Sequence, residues 1–147
     1  GLAALGPILV ISNGEFGERL LEIARTHSET VDHLRFNWQE KIDLTQLEQA
    51  LQMRLYKLVL VVHHETSTGM LNPVAAIAAL AHQYGALVSV DAVSSIGAET
   101  LRACEWDIDI LVGASGKALS GMPGPSSSTL KTQRSPSARR VRSRAAI

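Results

Sequence analysis

A three-layer α/β/α fold around a mainly parallel sheet is what this sequence predicts, and three observations carry it. Short apolar runs with few polar interruptions recur along the chain, the pattern of strands buried on both faces. Between them lie segments with apolar residues at helical spacing, so strand and helix alternate as they do over parallel sheets. Hydrophobic content of 46% and charged content of 19% across 147 residues describe a globular chain with room for one real core.

Each element has its own signal. PILVIS (7–12) is an apolar strand ended by Asn13-Gly14, and EFGERLLEIARTH (15–27) follows as a helix with Phe16, Leu20, Ile23 and Ala24 on one face. VDHLRF (31–36) has strand composition. DLTQLEQALQMRL (43–55) predicts a helix, with Thr45 and Glu48 spaced as a capping box and Leu44, Leu47 and Leu51 on one side. KLVLVV (57–62) is a continuous apolar strand. NPVAAIAALAHQYG (72–85) is a helix opened by Pro73 and closed by Gly85, and ALVSVD (86–91) is the next strand. DILVGA (109–114) has the same buried-strand character and empties into the small residues around Lys117.

Composition narrows the function classes. No apolar run is long enough to cross a bilayer, and the first twenty residues lack the basic flank and cleavage site of a signal peptide, so a cytoplasmic location is expected. The single cysteine, Cys104, excludes an internal disulfide. The formal charge of zero conceals an asymmetry: residues 1–125 hold eight basic residues against fourteen acidic, a net −6, and residues 126–147 hold six basic residues and no acid, a net +6. That last segment is rich in Ser and Arg without apolar periodicity. The expectation is a domain over 1–125 and a basic, disordered tail over 126–147. Lacking aromatic residues, the tail reads as solvated rather than as a nucleic-acid contact.

Ligands of parallel α/β sheets sit beyond the carboxyl ends of the strands. The residues found there are Asn13 and Gly14, HHETSTG (63–69), Asp91, and GASGK (113–117). A strand-terminal aspartate, a Ser/Thr cluster and a lysine among small residues form the set a pyridine-aldehyde cofactor requires. The amine forms a Schiff base, the carboxylate keeps the ring nitrogen protonated, hydroxyls hold the phenolic oxygen, and a flat side chain covers the ring.

Four segments, SNGEFGERL, HHETSTGMLNP, VDAVSSIGA and DIDILVGASGKAL followed by Pro123-Gly124, occur in the order in which they stand in class V pyridoxal-phosphate aminotransferases. Over roughly residues 7–125 the chain resembles the large domain of that family, which includes alanine–glyoxylate, serine–pyruvate and 2-aminoethylphosphonate–pyruvate transaminases. The resemblance implies pyridoxal 5'-phosphate as cofactor, an amino donor and a 2-oxo acid as substrates, and a homodimer. It implies that Lys117 is the Schiff-base lysine, Asp91 the partner of the pyridine nitrogen, Phe16 the aromatic residue stacked on the ring, Thr66 the hydroxyl near the phenolic oxygen, and Val93 the apolar contact on the opposite ring face.

Each assignment has a structural competitor. Lys117 competes with an incidental loop lysine, Asp91 with a carboxylate that caps the turn after its strand, Phe16 with core packing beside Leu20, and the hydroxyls of Thr66, Ser67 and Thr68 with local loop hydrogen bonds. The joint presence of Lys117 and Asp91 favours the cofactor reading. His63 and His64 invite a metal, but adjacent strand residues point to opposite faces and no third ligand is evident. Cys104, flanked by acids, reads as a packed small residue. Cysteine desulfurases share the fold but place a histidine before the Schiff-base lysine, where this chain has Gly116.

Departures from the pattern set the remaining expectations. Gly116 stands where relatives usually have Gln or Asn. The family's phosphate-binding turn is expected upstream of residue 1, and the small domain with the substrate-clamping arginine beyond Gly124. The sequence therefore predicts a partial large domain, either an aminotransferase acting through Lys117 or a truncated, non-catalytic remnant that keeps part of the cofactor site.

Overall fold

Strand and helix alternate as the patterning predicts. The computed structural model describes residues 6–120 and the backbone of one further strand, Ser127–Lys131. In chain order the elements are β1 (Ile8–Ser12), α1 (Glu15–His27), β2 (Val31–Arg35), α2 (Leu44–Met53), β3 (Leu58–Val62), the short β4 (His64–Glu65) and β5 (Met70–Leu71), α3 (Val74–Gln83), β6 (Leu87–Asp91), β7 (Ile110–Ala114) and β8 (Ser127–Lys131). The main sheet runs β2-β1-β3-β6-β7-β8. Its first five strands are parallel, and β8 is antiparallel to β7.

The three layers follow from the two-residue period of the strands. In β1, Ile8 and Val10 face α1, where they pack with Leu21, Ala24 and Leu58. Leu9 and Ile11 face the other way into the larger core with Leu47 and Leu51 of α2, Ile77, Ala78 and Ala81 of α3, and Val59, Val61, Val88 and Val90 of the neighbouring strands. The chain moves outward from β1 to β2 through α1, then reverses to β3 through α2. Right-handed crossovers put helices of opposite travel on opposite faces, so the direction change places α1 on one face and α2 and α3 on the other.

The structure departs from the sequence reading at Cys104, which is exposed rather than packed, and in four local details of the elements. The N-cap of α2 is Asp43, whose Oδ1 accepts from the Thr45 amide at 2.8 Å, so no Thr45–Glu48 box forms; a carboxylate one residue before the helix already takes the free amide. The buried residues of α1 are Gly17, Leu21 and Ala24, and the face with Phe16, Leu20 and Ile23 is only partly covered. Gly17 explains this rotation, because the helix lies so close to β1 that a Cβ on Gly17 would stand 2.6 Å from Ser12 Cβ. HHETSTG folds into the β4–β5 hairpin, with Gly69 at φ +71°. Finally, residues 127–131 of the segment expected to be disordered pair with β7, in register from Ile110↔Lys131 to Ala114↔Ser127. The outer edge of β7 offers a row of free backbone groups that an extended segment satisfies through its main chain, whatever its side chains. Residues 132–147 lie outside the described residues.

Candidate functional site

The reversal of strand order between β1 and β3 opens a crevice at their carboxyl ends, because the connections leaving them diverge. Two buried amides pin its floor. Asn13 Nδ2 donates to Asn72 Oδ1 at 2.8 Å, and Asn72 Nδ2 returns a bond to Asn13 Oδ1 at 3.1 Å. Asn72 Nδ2 also donates to the Val62 carbonyl at 2.9 Å, so the loops after β1 and β3 are held together with their polar groups satisfied.

A cleft of about 220 Å³ lies at this end of the sheet. Phe16, Arg19, Leu20 and Ile23 of α1 form one wall, Val62 and His64 the side at the end of β3, Asp91, Val93 and Ser94 the side beyond β6, and Lys117 comes from the loop after β7. Four of the five residues singled out from sequence, Phe16, Asp91, Val93 and Lys117, thus meet in one cleft. The fifth, Thr66, is exposed on the turn of the hairpin and does not line it.

Asp91 ends β6 in the middle of the sheet, paired with Val62 of β3 and Val112 of β7. Its Oδ1 accepts from the Val93 amide at 2.9 Å. Burial raises its pKa above the ordinary carboxylate value, the Val93 hydrogen bond opposes the shift, Glu65 adds to it, and Lys117 opposes it. Among the described residues no other hydrogen bond reaches the carboxyl, which leaves Oδ2 open to a donor in the cleft. Lys117 is solvent-exposed.

His63, in the bend between β3 and β4, and His64, the first residue of β4, diverge. His63 is buried behind the sheet, its Nδ1 is 2.9 Å from Ser95 Oγ, and its ring meets Trp106 edge-on at 6.0 Å. Burial holds its imidazole below the ordinary value. His64 turns into the cleft, with its Nδ1 buried and without a hydrogen-bond partner among the described residues. No group of three His, Cys, Asp or Glu side chains suited to a metal is found among the described residues. None of the described helices is long and apolar enough to cross a membrane.

Residues 9–134 match the family model described as Aminotransferase class-V. The chain belongs to the class V aminotransferase family. It is similar to the 2-aminoethylphosphonate–pyruvate transaminase of Bacillus cytotoxicus, with 36% identity over 121 residues, 81% of this chain and 33% of that protein. The chain therefore spans about a third of the length of the curated relatives it matches. Among solved structures, the alanine–glyoxylate aminotransferase of a Nostoc species superposes with a TM-score of 0.79 at 29% identity, covering 90% of this chain and 36% of that one. The ureidoglycine–glyoxylate aminotransferase of Bacillus subtilis gives 0.77 at 34%, covering 84% and 33%. The mainly parallel α/β sheet is thus that of a class V aminotransferase.

Sequence reasoning passed over Arg19, Ser94 and His64 as cleft residues of this class V domain. The first two carry no pattern beyond helix and turn. His64 follows the bend at His63 that separates β3 from β4, and a bend carries no fixed alternation to read. Glu65 and Ser67 do not line the cleft but stand against α1: a Cβ on Gly14 would lie 2.5 Å from Glu65 Cγ and 2.6 Å from Ser67 Oγ.

Proposed function

We propose that this cleft is the cofactor-facing side of a pyridoxal-phosphate-dependent aminotransferase site, with Lys117 as the residue that bonds the cofactor. The observation that carries the reading is the convergence of Phe16 from α1, Asp91 and Val93 from the end of β6 and Lys117 from the loop after β7 on one small cleft. The residues fit the group. Asp91 presents an open Oδ2 from a low-dielectric strand end, and an aromatic and a branched aliphatic side chain stand among the lining residues where the two faces of a planar ring need apolar cover.

When bound, pyridoxal phosphate supplies an aldehyde that takes up an amino group and a ring that withdraws electrons. Asp91 Oδ2 would accept a hydrogen bond from the ring nitrogen, and Phe16 and Val93 would give the ring apolar cover. The Lys117 amine would hold the cofactor through a carbon–nitrogen bond formed with loss of water, and once displaced by the donor amine it would serve as the general base for the proton on the donor's amino-bearing carbon. The donor is a primary amine and the acceptor a 2-oxo acid; pyruvate, named in the Bacillus cytotoxicus relative, is the acceptor to test first.

The test is direct. Adding pyridoxal phosphate to the folded chain should produce a visible absorbance band, and borohydride should fix the label on Lys117. A label spread over many lysines, or the same spectrum in Lys117→Ala, would remove Lys117 from the role.

A further inference from the structure

Glu65 is a fully buried carboxylate, 0% exposed, and the reading above gives it no task. No lysine or arginine pairs with it among the described residues. A carboxylate in that setting is costly unless donors satisfy it. Three do: the Gly17 amide reaches Oε2 at 3.0 Å, and Oε1 accepts from the Ser67 amide at 3.3 Å and from Ser67 Oγ at 2.6 Å. Ser67 Oγ in turn accepts from the Glu15 amide at 3.0 Å.

Those two amides belong to the first turn of α1, whose N–H groups have no partner within the helix. The residue before the helix, Gly14, has no side chain to cap them. The cap instead comes from the β4–β5 hairpin, 48 and 52 residues further along the chain. The negative charge also sits where the helix dipole favours it. Gly14 is what permits the approach, since any Cβ there would strike Glu65 and Ser67.

Phe16 stands between the two clamped amides, and His64 immediately precedes Glu65, so the clamp ties one wall of the cleft to another. We propose that Glu65, acting partly through Ser67, is the positioning residue that locks the first turn of α1 and with it Phe16 against the cleft. The proposal rests on the reading of the cleft as a pyridoxal phosphate site. A second consequence concerns charge. Asp91 is faced by Glu65 from β4 and Lys117 from the loop after β7, with His64 and Arg19 in the same cleft, and the Glu65 charge favours the protonated form of Asp91.

The experiment compares the unsubstituted chain with Ser67→Ala, Glu65→Gln and Glu65→Ala. Ser67 is exposed, so its loss leaves the core closed. Amide hydrogen exchange is measured without cofactor, and pyridoxal phosphate affinity across pH by absorbance. Exchange should accelerate about tenfold at Glu15 in S67A and at Gly17 in E65A, each with an affinity loss of about tenfold. E65Q keeps an oxygen for the Gly17 amide and should recover most of that affinity. With the Glu65 charge gone, Asp91 stays ionised to lower pH, so the acid limb of binding should move to lower pH in E65Q, a change that a purely structural role would not produce. Unchanged exchange, or faster exchange with unchanged affinity in S67A and E65A, overturns the proposal. Labelling of the unsubstituted chain away from Lys117 overturns the functional reading instead, and the exchange rates then decide the clamp alone.

Discussion

At the scale of single residues, Asp91 combines two demands that oppose each other. Burial is the largest cause of its raised pKa, so the folded state binds a proton at Asp91 more tightly than the unfolded chain does. Such a group contributes stability that is fully present below the unfolded carboxylate value and is lost as pH rises through the folded one. Ionisation of the side chain therefore works against the fold. Asp91→Asn keeps an oxygen for the Val93 amide and carries no charge. It should melt at a higher temperature than the parent at pH 7, lose that advantage below about pH 4, and bind pyridoxal phosphate about tenfold or more weakly through loss of a charged hydrogen bond. Melting curves at the two pH values and a cofactor titration check this; a variant destabilised at pH 7 with parental affinity would make Asp91 a structural cap.

At the scale of elements, α1 matters most to the site, because it carries four of the cleft's lining residues, Phe16 among them. Its position depends on Gly17. Alanine is the better helix former by about 1 kcal/mol, yet an added Cβ would lie 2.6 Å from Ser12 Cβ and 2.7 Å from Ser12 Cα. Backbone cannot rotate away as a flexible side chain can, and overpacking of this kind costs about 1–3 kcal/mol. Gly17→Ala should therefore lower the urea midpoint and displace Phe16, with weaker pyridoxal phosphate binding; a midpoint above the parent's would mean that α1 shifts at no cost. The existence of α1 and its partners was legible in the sequence. Pro73 and Gly85 bracket α3 as expected, with Pro73 as its N-cap and Gly85 at φ +77° just beyond it. The rotation of α1 was not legible: of the expected stripe Phe16, Leu20, Ile23 and Ala24 only Ala24 is buried, and the close contact of Gly17 with Ser12 turns Leu21 inward in place of the others.

At the scale of the whole molecule, the cleft opens on apolar surface. Ile23 is 47% exposed on its α1 wall, and Leu119 is 49% exposed on the loop that carries Lys117. The homodimer that the family resemblance implies would cover these side chains, with the cleft at or near the contact. Sedimentation velocity over a range of concentrations should show a shift toward dimer, reduced in an Ile23→Ser and Leu119→Ser double variant. A monodisperse monomer at every concentration would refute it.

The sequence by itself determined the α/β class, the order of the elements and the short list of polar residues at strand ends, because a two-sided parallel sheet leaves its period and its punctuation in the chain. It also put Asp91 and Lys117 among those strand-end residues, while Phe16 and Val93 joined them only through the family resemblance. Tertiary structure alone decided that Thr66 stands outside the cleft and His64 inside it, that Asp43 rather than Thr45 caps α2, and that Ser127–Lys131 extends the sheet. It alone decided that the first turn of α1 is capped by Glu65 and Ser67. A cap supplied from about fifty residues away leaves no local spacing to read, since it depends on how closely two loops approach and not on what lies next to either of them.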